Sequence, residues 1–191
     1  MRAEFPDFRL GSVLATSFTA TLTERQGEPV ERIPTPRRLV DWLAVNGLAV
    51  DSCTAGQLER AQELREAIHA VATAAALGGT PPTSAVRVVN DCSMRGRAAA
   101  VLTPESTRQW RLSSPTCVED ALGVIAADAI SIVAGERDGR LALCASPSCR
   151  AAFFDTSRSR TRRWCDMNTC GNRQKKARFH ASHRKGPSSA G

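Results

Sequence analysis

The sequence predicts an α+β fold: a mostly helical N-terminal domain with a small antiparallel sheet, followed by a short cysteine-containing module. Apolar residues recur every three or four positions over much of residues 1–136, which is typical of amphipathic helices. Between about residues 85 and 112 they form short runs separated by turn residues, which favours strands. We expect the domain over residues 1–136, the module over 141–185 and a disordered tail over 186–191.

Three helices are predicted before residue 80. The first covers about four turns, because five apolar residues recur there at helical spacing: Leu10, Val13, Leu14, Phe18 and Leu22. A polar loop follows over 24–34. The second helix begins with Thr35 as N-cap and Pro36 at the first helical position, and Gly47 ends it. The third and longer helix begins at Thr54 and ends at Gly78.

The rest of the N-terminal domain is predicted to contain a sheet and one more helix. Residues 85–89, 98–102 and 108–112 are expected to form short antiparallel strands. A broad apolar stripe then predicts a helix that ends at about Gly135. A turn and a strand over 141–143 lead into the first cysteine of the module.

Four cysteines of the module form two close pairs: Cys144, Cys149, Cys165 and Cys170. Each pair has the spacing C-x4-C, and fifteen residues separate the pairs. Two close thiol pairs joined by a hairpin-sized insert meet the requirement of a tetrahedral zinc site. The N-terminus shows no secretory signal pattern, so we expect a cytoplasmic, reducing environment in which clustered thiols bind metal. The sequence therefore predicts one structural Zn²⁺ with no open position for catalysis.

The order of elements around these cysteines predicts a treble-clef-like finger. A proline and two serines favour a tight knuckle between Cys144 and Cys149. Residues 150–157 and 158–165 are expected to form a hairpin, in which aromatic side chains cover one side of the metal: Phe153 or Phe154, and Trp164. Cys170 is expected at the start of a helix, with three candidate caps before it: Asp166, Asn168 and Thr169. The remaining cysteines lack ligand spacing and are interpreted as ordinary thiols: Cys53, Cys92 and Cys117.

The positive charge of the chain is concentrated in the finger. Residues 150–185 carry eleven Lys or Arg and two Asp, whereas the other residues carry fifteen Lys or Arg and seventeen Asp or Glu. A patch of one sign and this density repels itself unless a polyanion binds it. A solvated basic tail is the alternative, which the interleaved aromatic residues disfavour. The candidate nucleic-acid contacts are Arg158, Arg160, Arg162, Arg163, Arg173, Lys175, Lys176, Arg178, Arg184 and Lys185.

These cations are expected to divide into two kinds. Arg162, Arg163 and Arg173 lie near the rigid zinc core, where fixed geometry suits base-edge contacts or tightly oriented phosphate contacts. The others lie at the hairpin tip or along the last helix, where phosphate contacts are expected. Two structural roles remain open: Asp155 or Asp166 could bind Arg173, and Asp155 could orient Arg163.

Three runs of the finger resemble a known family: Phe154-Asp155-Thr156-Ser157-Arg158, Arg162-Arg163-Trp164-Cys165-Asp166-Met167 and Cys170-Gly171-Asn172-Arg173-Gln174-Lys175. They are similar to the CGNR zinc finger, which is found at the C-terminus of bacterial stress-induced transcription regulators with an N-terminal ABATE domain. The resemblance implies a zinc-dependent, DNA-binding role. In the first helix, Ser17 and Ala20 stand where family members often carry an aspartate and an asparagine.

We therefore predict a transcription regulator of the nucleoid that binds DNA through its finger. Its N-terminal domain is expected to sense a signal, such as a small-molecule effector, or to form a homodimer. The alternative is an RNA-binding or ribosome-associated zinc protein, since a cationic finger does not by itself distinguish the two nucleic acids. An enzyme is not expected. His69 is expected on the exposed side of its helix, and His180 and His183 lie in the charged last helix, away from any plausible nucleophile.

Overall fold

The computed structural model describes residues 5–11, 13–114 and 117–184 of the 191-residue chain. The N-terminal domain contains these helices: α1 (Leu14–Thr19), α2 (Pro36–Val45), α3 (Ala55–Ala76), α4 (Thr83–Arg95) and α5 (Val118–Val133). Two antiparallel hairpins accompany them, β1 (Leu22–Thr23) with β2 (Val30–Glu31) and β3 (Ala99–Leu102) with β4 (Arg108–Arg111). The predicted α+β class, with a mostly helical domain and a small antiparallel sheet, is confirmed.

The finger begins with a third hairpin, in which β5 (Arg140–Leu143) pairs with β6 (Ala152–Asp155). A π-helical turn (Met167–Gly171) and α6 (Asn172–Arg184) end the described chain. The predicted tail over 186–191, and Lys185 before it, lie outside the described residues. None of the helices described has the length and apolar character that crossing a membrane requires.

The core of the N-terminal domain lies between α3, α4 and α5, with α1 packed against α3 and α5. Leu64 and Ile68 of α3 and Ile125 of α5 are fully buried there. The rings of Phe18 and Trp42 pack at a centroid distance of 5.1 Å, which attaches α1 and α2 to this core. Burial of such side chains is the main contribution to the stability of the domain.

The starts of α2 and α3 agree with the sequence prediction. The Thr35 hydroxyl accepts a hydrogen bond from the Arg38 amide at 3.3 Å, and Pro36 occupies the first helical position. At α3, Thr54 and Gln57 form a reciprocal capping box, since each side chain accepts from the other residue's amide. These caps satisfy amides that have no partner inside their helices.

The first helix is much shorter than predicted. It ends at Thr19, and Leu22 and Thr23 belong to β1 rather than to the helix. The hydroxyls of Thr16 and Ser17 both donate to the Val13 carbonyl. Side-chain bonds of this kind offer the backbone an alternative to helical pairing. Of the five apolar residues that predicted this helix, Val13 and Phe18 are buried, Leu14 and Leu22 are half-buried and Leu10 is exposed, so the spacing showed neither the full extent of burial nor where the helix ends.

The predicted strand over residues 85–89 is wrong, because this segment lies in α4. Its β-branched residues favour a strand by propensity, but Ala85 and Val89 are four residues apart and are both buried on one helical face. At the end of α4, a Cβ on Gly96 would lie 2.7 Å from the Cα of Gly123 in α5. This close backbone approach and the burial of one face outweigh the local propensity.

Candidate metal centre and cationic surface

The four predicted zinc ligands come together in one cluster. The Sγ atoms of Cys144, Cys149, Cys165 and Cys170 all lie within 4.8 Å of one another. The Sγ of Cys165 lies 3.6 Å from that of Cys149 and 3.7 Å from that of Cys170. A tetrahedron with Zn–S bonds of about 2.3 Å has S···S edges of about 3.8 Å. The four cysteines are therefore positioned to bind one zinc ion, as the sequence predicts.

The first pair of cysteines lies on a tight knuckle between β5 and β6. The Cys144 amide donates to the Ala151 carbonyl at 2.9 Å, and the Cys149 amide donates to the Ser146 carbonyl at 3.1 Å. Arg150 then turns the chain into β6 with a positive φ of 48°. This turn points both thiols to the same side of the hairpin.

The second pair of cysteines lies before and within the π-helical turn. The Asp166 carboxylate accepts a hydrogen bond from the Thr169 amide at 2.8 Å and thereby caps this turn, so one of the predicted caps is confirmed. The Ala145 amide donates to the Arg163 carbonyl at 2.8 Å and joins the second segment to the knuckle. The strand hairpin that carries the knuckle and the cysteine-bearing helical turn form a four-cysteine zinc finger, in which the predicted knuckle and helix are observed.

The thiols influence one another's ionisation. Hydrogen bonds from the Cys149 and Cys165 thiols lower the pKa of Cys144 to about 3. The same contacts raise the pKa of Cys165. A thiolate is the form that binds zinc, and a bound ion would hold all four cysteines in that form. The other cysteines, Cys53, Cys92 and Cys117, are half-buried and take no part in the cluster.

The predicted hairpin between residues 150–157 and 158–165 is wrong. Strand β6 pairs with β5, with Leu141 opposite Phe154 and Leu143 opposite Ala152. Residues 156–163 are exposed and form a loop. Strand β6 is buried, and Leu141 of β5 brings an apolar side chain opposite Phe154, whereas residues 156–163 contain no large apolar side chain.

Phe154 belongs to the core of the N-terminal domain rather than to a cover over the metal. It is 5% exposed and packs in the same cluster of buried residues as the helices, together with Leu141 and Ala152. A Cβ on Gly139 would lie 2.2 Å from its ring, so only glycine fits at this turn. Trp164 does pack against the cysteine cluster, as predicted. The guanidinium of Arg162 lies 5.2 Å from the centroid of Phe153.

Asp155 orders the loop that follows β6. Its fully buried carboxylate accepts hydrogen bonds from the backbone amides of Ser157 and Arg162, both at 2.9 Å. Burial alone would raise the pKa of Asp155, but these hydrogen bonds outweigh burial and lower it. Neither of the predicted roles, a partner for Arg163 or for Arg173, is observed.

Of the seven candidate cations whose side chains the structure describes, three form ion pairs or hydrogen bonds within the protein. Arg160 pairs with Asp138. Arg162 donates to the carbonyls of Trp164 and Cys165 and so supports the second zinc pair. Arg173 pairs with Glu24.

Glu24 binds Arg173 in a clamp between the N-terminal domain and the finger. Its two carboxylate oxygens accept from Arg173 Nη1 at 2.5 Å and from Nη2 at 3.1 Å. The Ser148 hydroxyl donates to the same carboxylate at 2.7 Å. The Arg173 hydrogen bond is the largest contribution that lowers the pKa of Glu24. The sequence contains no local signal for this pair, because the two residues are 149 positions apart.

The other candidate cations are exposed wherever the structure describes their side chains. Those with described side chains are exposed and have no ion-pair partner within the described part of the chain: Arg158, Arg163, Lys175 and Lys176. Arg163 lies against Trp164, with its guanidinium 5.3 Å from the ring centroid. Arg178 and Arg184 belong to α6, but their side chains are outside the description, as is the whole of Lys185.

The histidines differ from one another. His180 and His183 are exposed on α6. His69, expected to be exposed, is half-buried beside the finger, and its Nε2 has no hydrogen-bond partner within the described residues. Burial, followed by the charge of Arg25, lowers the pKa of His69 to about 4. The sequence missed this position because the finger covers the outer side of α3.

Two positions singled out in the first helix, Ser17 and Ala20, line a cavity that faces the finger. The Ser17 hydroxyl is engaged locally, accepting from the Gly11 amide at 2.7 Å and donating to the Val13 carbonyl at 2.8 Å. Ala20 adds an apolar surface. Where family members often carry an aspartate and an asparagine, this chain therefore has a hydroxyl and a methyl group, neither of which is charged.

Two family models match the chain. Residues 12–136 match the ABATE model, whose description is "Putative stress-induced transcription regulator". Residues 140–183 match the CGNR zinc finger. Both matches confirm the resemblance drawn from the sequence. No curated protein matches the chain.

Proposed function

The chain belongs to the ABATE family, and we propose that it is a transcription regulator that binds DNA through its CGNR zinc finger. Zinc holds the finger in shape and takes no part in a reaction, because four thiolates fill its coordination sphere. In this proposal the protein acts by binding DNA and not by catalysing a reaction.

The observation that carries this proposal is the cationic outer surface of the finger. Arg158, Arg163, Lys175 and Lys176 are exposed and have no ion-pair partner among the described residues. Isolated, unneutralised cations on a rigid module are suited to phosphate groups, whose binding releases counterions. The opposite side of the finger is occupied, since its hairpin packs on the N-terminal core. Nucleic acid would therefore approach from the loop and α6.

Arg163 is the best candidate for a base-edge contact. It is exposed and its guanidinium is held near the Trp164 ring, which reduces the side-chain entropy lost on binding. Arg162 and Arg173, the other two residues expected near base edges, already donate to Cys165 and Glu24. Lys175 and Lys176 on α6 are candidates for phosphate contacts.

The N-terminal domain is proposed to supply sensing or pairing. A finger of about forty residues reads a short site, and pairing of two copies would lengthen that site and increase affinity. Light scattering of the zinc-loaded protein, free and on DNA, measures the number of copies. A monomer in both states, whose DNA binding responds to no effector, would argue against both roles.

The proposed function is tested by selection of duplexes from a random library with the zinc-loaded full-length protein. The enriched duplex is then titrated at two salt concentrations, alongside a scrambled duplex and an RNA of the same sequence. We expect Lys175→Ala and Lys176→Ala each to weaken binding to both duplexes and to reduce the salt slope by about one unit. Arg163→Ala should cost about 1–3 kcal/mol on the selected duplex only.

Arg87→Ala is the matched control, because Arg87 is an exposed cation on α4, outside the finger. It should leave affinity and salt slope unchanged. No enrichment of any duplex, or equal losses in Arg87→Ala, would refute DNA binding by the finger. Preferential binding to the RNA would favour the alternative of an RNA-binding zinc protein.

A further inference from the structure

A cavity of about 300 Å³ lies between the N-terminal domain and the finger. One wall comes from α1 and the segment before it, including Arg9 and Ala20. The opposite wall comes from the finger, including Phe153, Arg162 and Asp166. The volume is at the small end of the range found for ligand-binding pockets. A molecule bound here would touch both parts of the protein.

Two of the three charged side chains that line the cavity, Arg9 and Arg162, are cationic, and the third is the Asp166 carboxylate. The Nη1 of Arg9 is buried, and no described group accepts a hydrogen bond from it. Glu24 forms no direct ion pair with Arg9 within the described residues, since its carboxylate oxygens accept from Arg173, and it acts on Arg9 only through its charge at longer range. Arg162 adds a second guanidinium, whereas Asp166 is occupied as the cap of the π-helical turn. A buried guanidinium without an acceptor is costly, and an anion would remove that cost.

The rest of the lining combines apolar side chains with the hydroxyls of Thr16, Ser17, Thr23 and Thr156. Ala20, Ala151, Ala152, Phe153 and Phe154 all face the cavity. An inorganic anion would leave this surface without contact. An organic anion would place its charged group at Arg9 and its apolar body against the alanines and phenylalanines, which is the usual division of contacts in small-molecule sites.

From these contacts we propose that the cavity binds a small organic carboxylate, with Arg9 as its principal charge partner. The carboxylate bridges the N-terminal domain and the finger, and it therefore stabilises the docked arrangement of the two. Cys165, a zinc ligand, also lines the cavity, so occupancy acts directly on the segment that carries the second zinc pair. The consequence for DNA rests on the proposed function, whereas binding of the carboxylate does not.

Calorimetry with the zinc-loaded full-length protein tests the site, with benzoate as the probe. Benzamide has the same size without the charge, and inorganic phosphate has charge without the apolar body. We expect saturable binding of benzoate, and binding at least tenfold weaker for benzamide and phosphate. Equal binding of benzoate and benzamide would overturn the role of Arg9, and equal binding of phosphate would overturn the organic class of ligand.

Two variants locate the binding. Arg9→Gln should weaken benzoate binding at least tenfold, and Ala20→Leu, which fills the cavity from α1, should abolish it while leaving Arg9 in place. Arg37→Gln is the matched control, since Arg37 is an exposed arginine on α2, and it should bind as the wild type does. Unchanged binding in both Arg9→Gln and Ala20→Leu would place benzoate elsewhere and refute the proposal.

The two proposals fail separately. DNA titrations with and without saturating benzoate should show a change of at least threefold in affinity for the selected duplex. Benzoate binding by a protein that selects no duplex would refute DNA binding and leave the carboxylate site intact. If the protein selects a duplex but does not bind benzoate, the carboxylate site is refuted. If it binds benzoate with no effect on DNA affinity, the coupling of the site to the finger is refuted.

Discussion

The N-terminal domain and the finger are held together by different forces. The domain buries a continuous set of large apolar side chains, among them Trp42, Phe18 and Ile125. The separate buried cluster of the finger consists of Cys144, Cys149, Ala151 and Cys170, with Trp164 and Cys165 against it. So few apolar atoms cannot offset the entropy of ordering some forty residues. The comparison indicates that the finger depends on its metal and the domain does not.

Not all of the finger depends on the metal, because part of it is stabilised by the apolar core of the N-terminal domain. Leu141, Ala152 and Phe154 of the finger hairpin belong to the apolar core. The hairpin should therefore unfold together with the domain. The knuckle, the loop over 156–163 and α6 should instead lose their structure when zinc is removed. The predictions below test this division, from the largest expected effect to the smallest.

Loss of zinc should have the largest effect. Cys165→Ser combined with Cys170→Ser removes two ligands, and zinc binding of this kind contributes about 10 kcal/mol or more to small modules. We expect no bound zinc by native mass spectrometry and rapid hydrogen exchange in residues 144–149 and in α6. Helices α3 and α5, and strand β6, should keep their protection.

Cys53→Ser is the control for this pair of substitutions, since Cys53 is a half-buried thiol outside the cluster. It should retain one zinc per chain. Stoichiometric zinc in the double variant would contradict the ligand assignment. Loss of protection in α3 together with α6 would contradict the independence of the domain.

The sequence predicted the metal site well and the surroundings of the site less well. Spacing alone identified the four ligands, because a tetrahedral site needs two close pairs. The hairpin was misassigned because the partner of β6 is β5, which precedes the knuckle, and local patterning does not indicate which of two segments pairs. Helix α4 was missed because burial of Ala85 and Val89 against other helices outweighed the strand preference of its valines.

The contacts between the two regions could not be predicted from the sequence at all. Glu24 and Arg173 meet only after the hairpin has docked on α1 and α3. The half-buried state of His69 has the same origin. Such long-range pairs leave no periodicity or spacing in the sequence, whereas helix caps such as Thr54 with Gln57 are local and were found.

Truncation of the shared core should have the second-largest effect. Phe154→Ala removes a ring that is 5% exposed and packs on the domain. We expect a loss of about 3–5 kcal/mol in the free energy of unfolding, and we expect the domain and the hairpin to unfold together. Denaturant titrations followed by circular dichroism measure this loss.

Phe179→Ala is the control for the shared core, because Phe179 is 58% exposed on α6. It should change the free energy of unfolding by less than about 0.5 kcal/mol. A loss of similar size in both variants would mean that Phe154 is not a specific link between hairpin and core.

Release of the clamp should have a smaller effect. Glu24→Gln removes the charge that accepts from Arg173 and Ser148, and hydrogen bonds to charged groups contribute about 1.5–3 kcal/mol when buried. Because Arg173 is nearly half exposed, with a side-chain exposure of 46%, we expect about 1–2 kcal/mol. A double-mutant cycle with Arg173→Gln measures the coupling. Glu28→Gln, at an exposed position of the same loop, should show no coupling to Arg173.

The last prediction concerns His69 and pH, and its expected effect is about as large as that of releasing the clamp. Its pKa is about 4 in the folded protein, against 6.5 for an unperturbed histidine. The unfolded chain therefore binds more protons than the folded chain between these pH values, so His69 makes the protein less stable as pH falls from 6.5 to 4. Since the side chain is only half-buried, we expect a loss of about 1–2 kcal/mol over this window. The loss arises because the protonated ring would lie in a desolvated site beside Arg25.

His69→Gln should remove this part of the pH dependence, because glutamine does not titrate. Carboxylates and zinc-binding thiols also respond to acid, but they are common to both proteins, so the difference between wild type and variant isolates His69. Chemical unfolding of zinc-loaded samples at pH 7, 5.5 and 4.5 measures this difference. His180→Gln, an exposed position on α6, should follow the wild type. If His69→Gln also follows the wild type at every pH, the finger does not keep water from His69, and the docked arrangement of the two regions is looser than the clamp and the shared core imply.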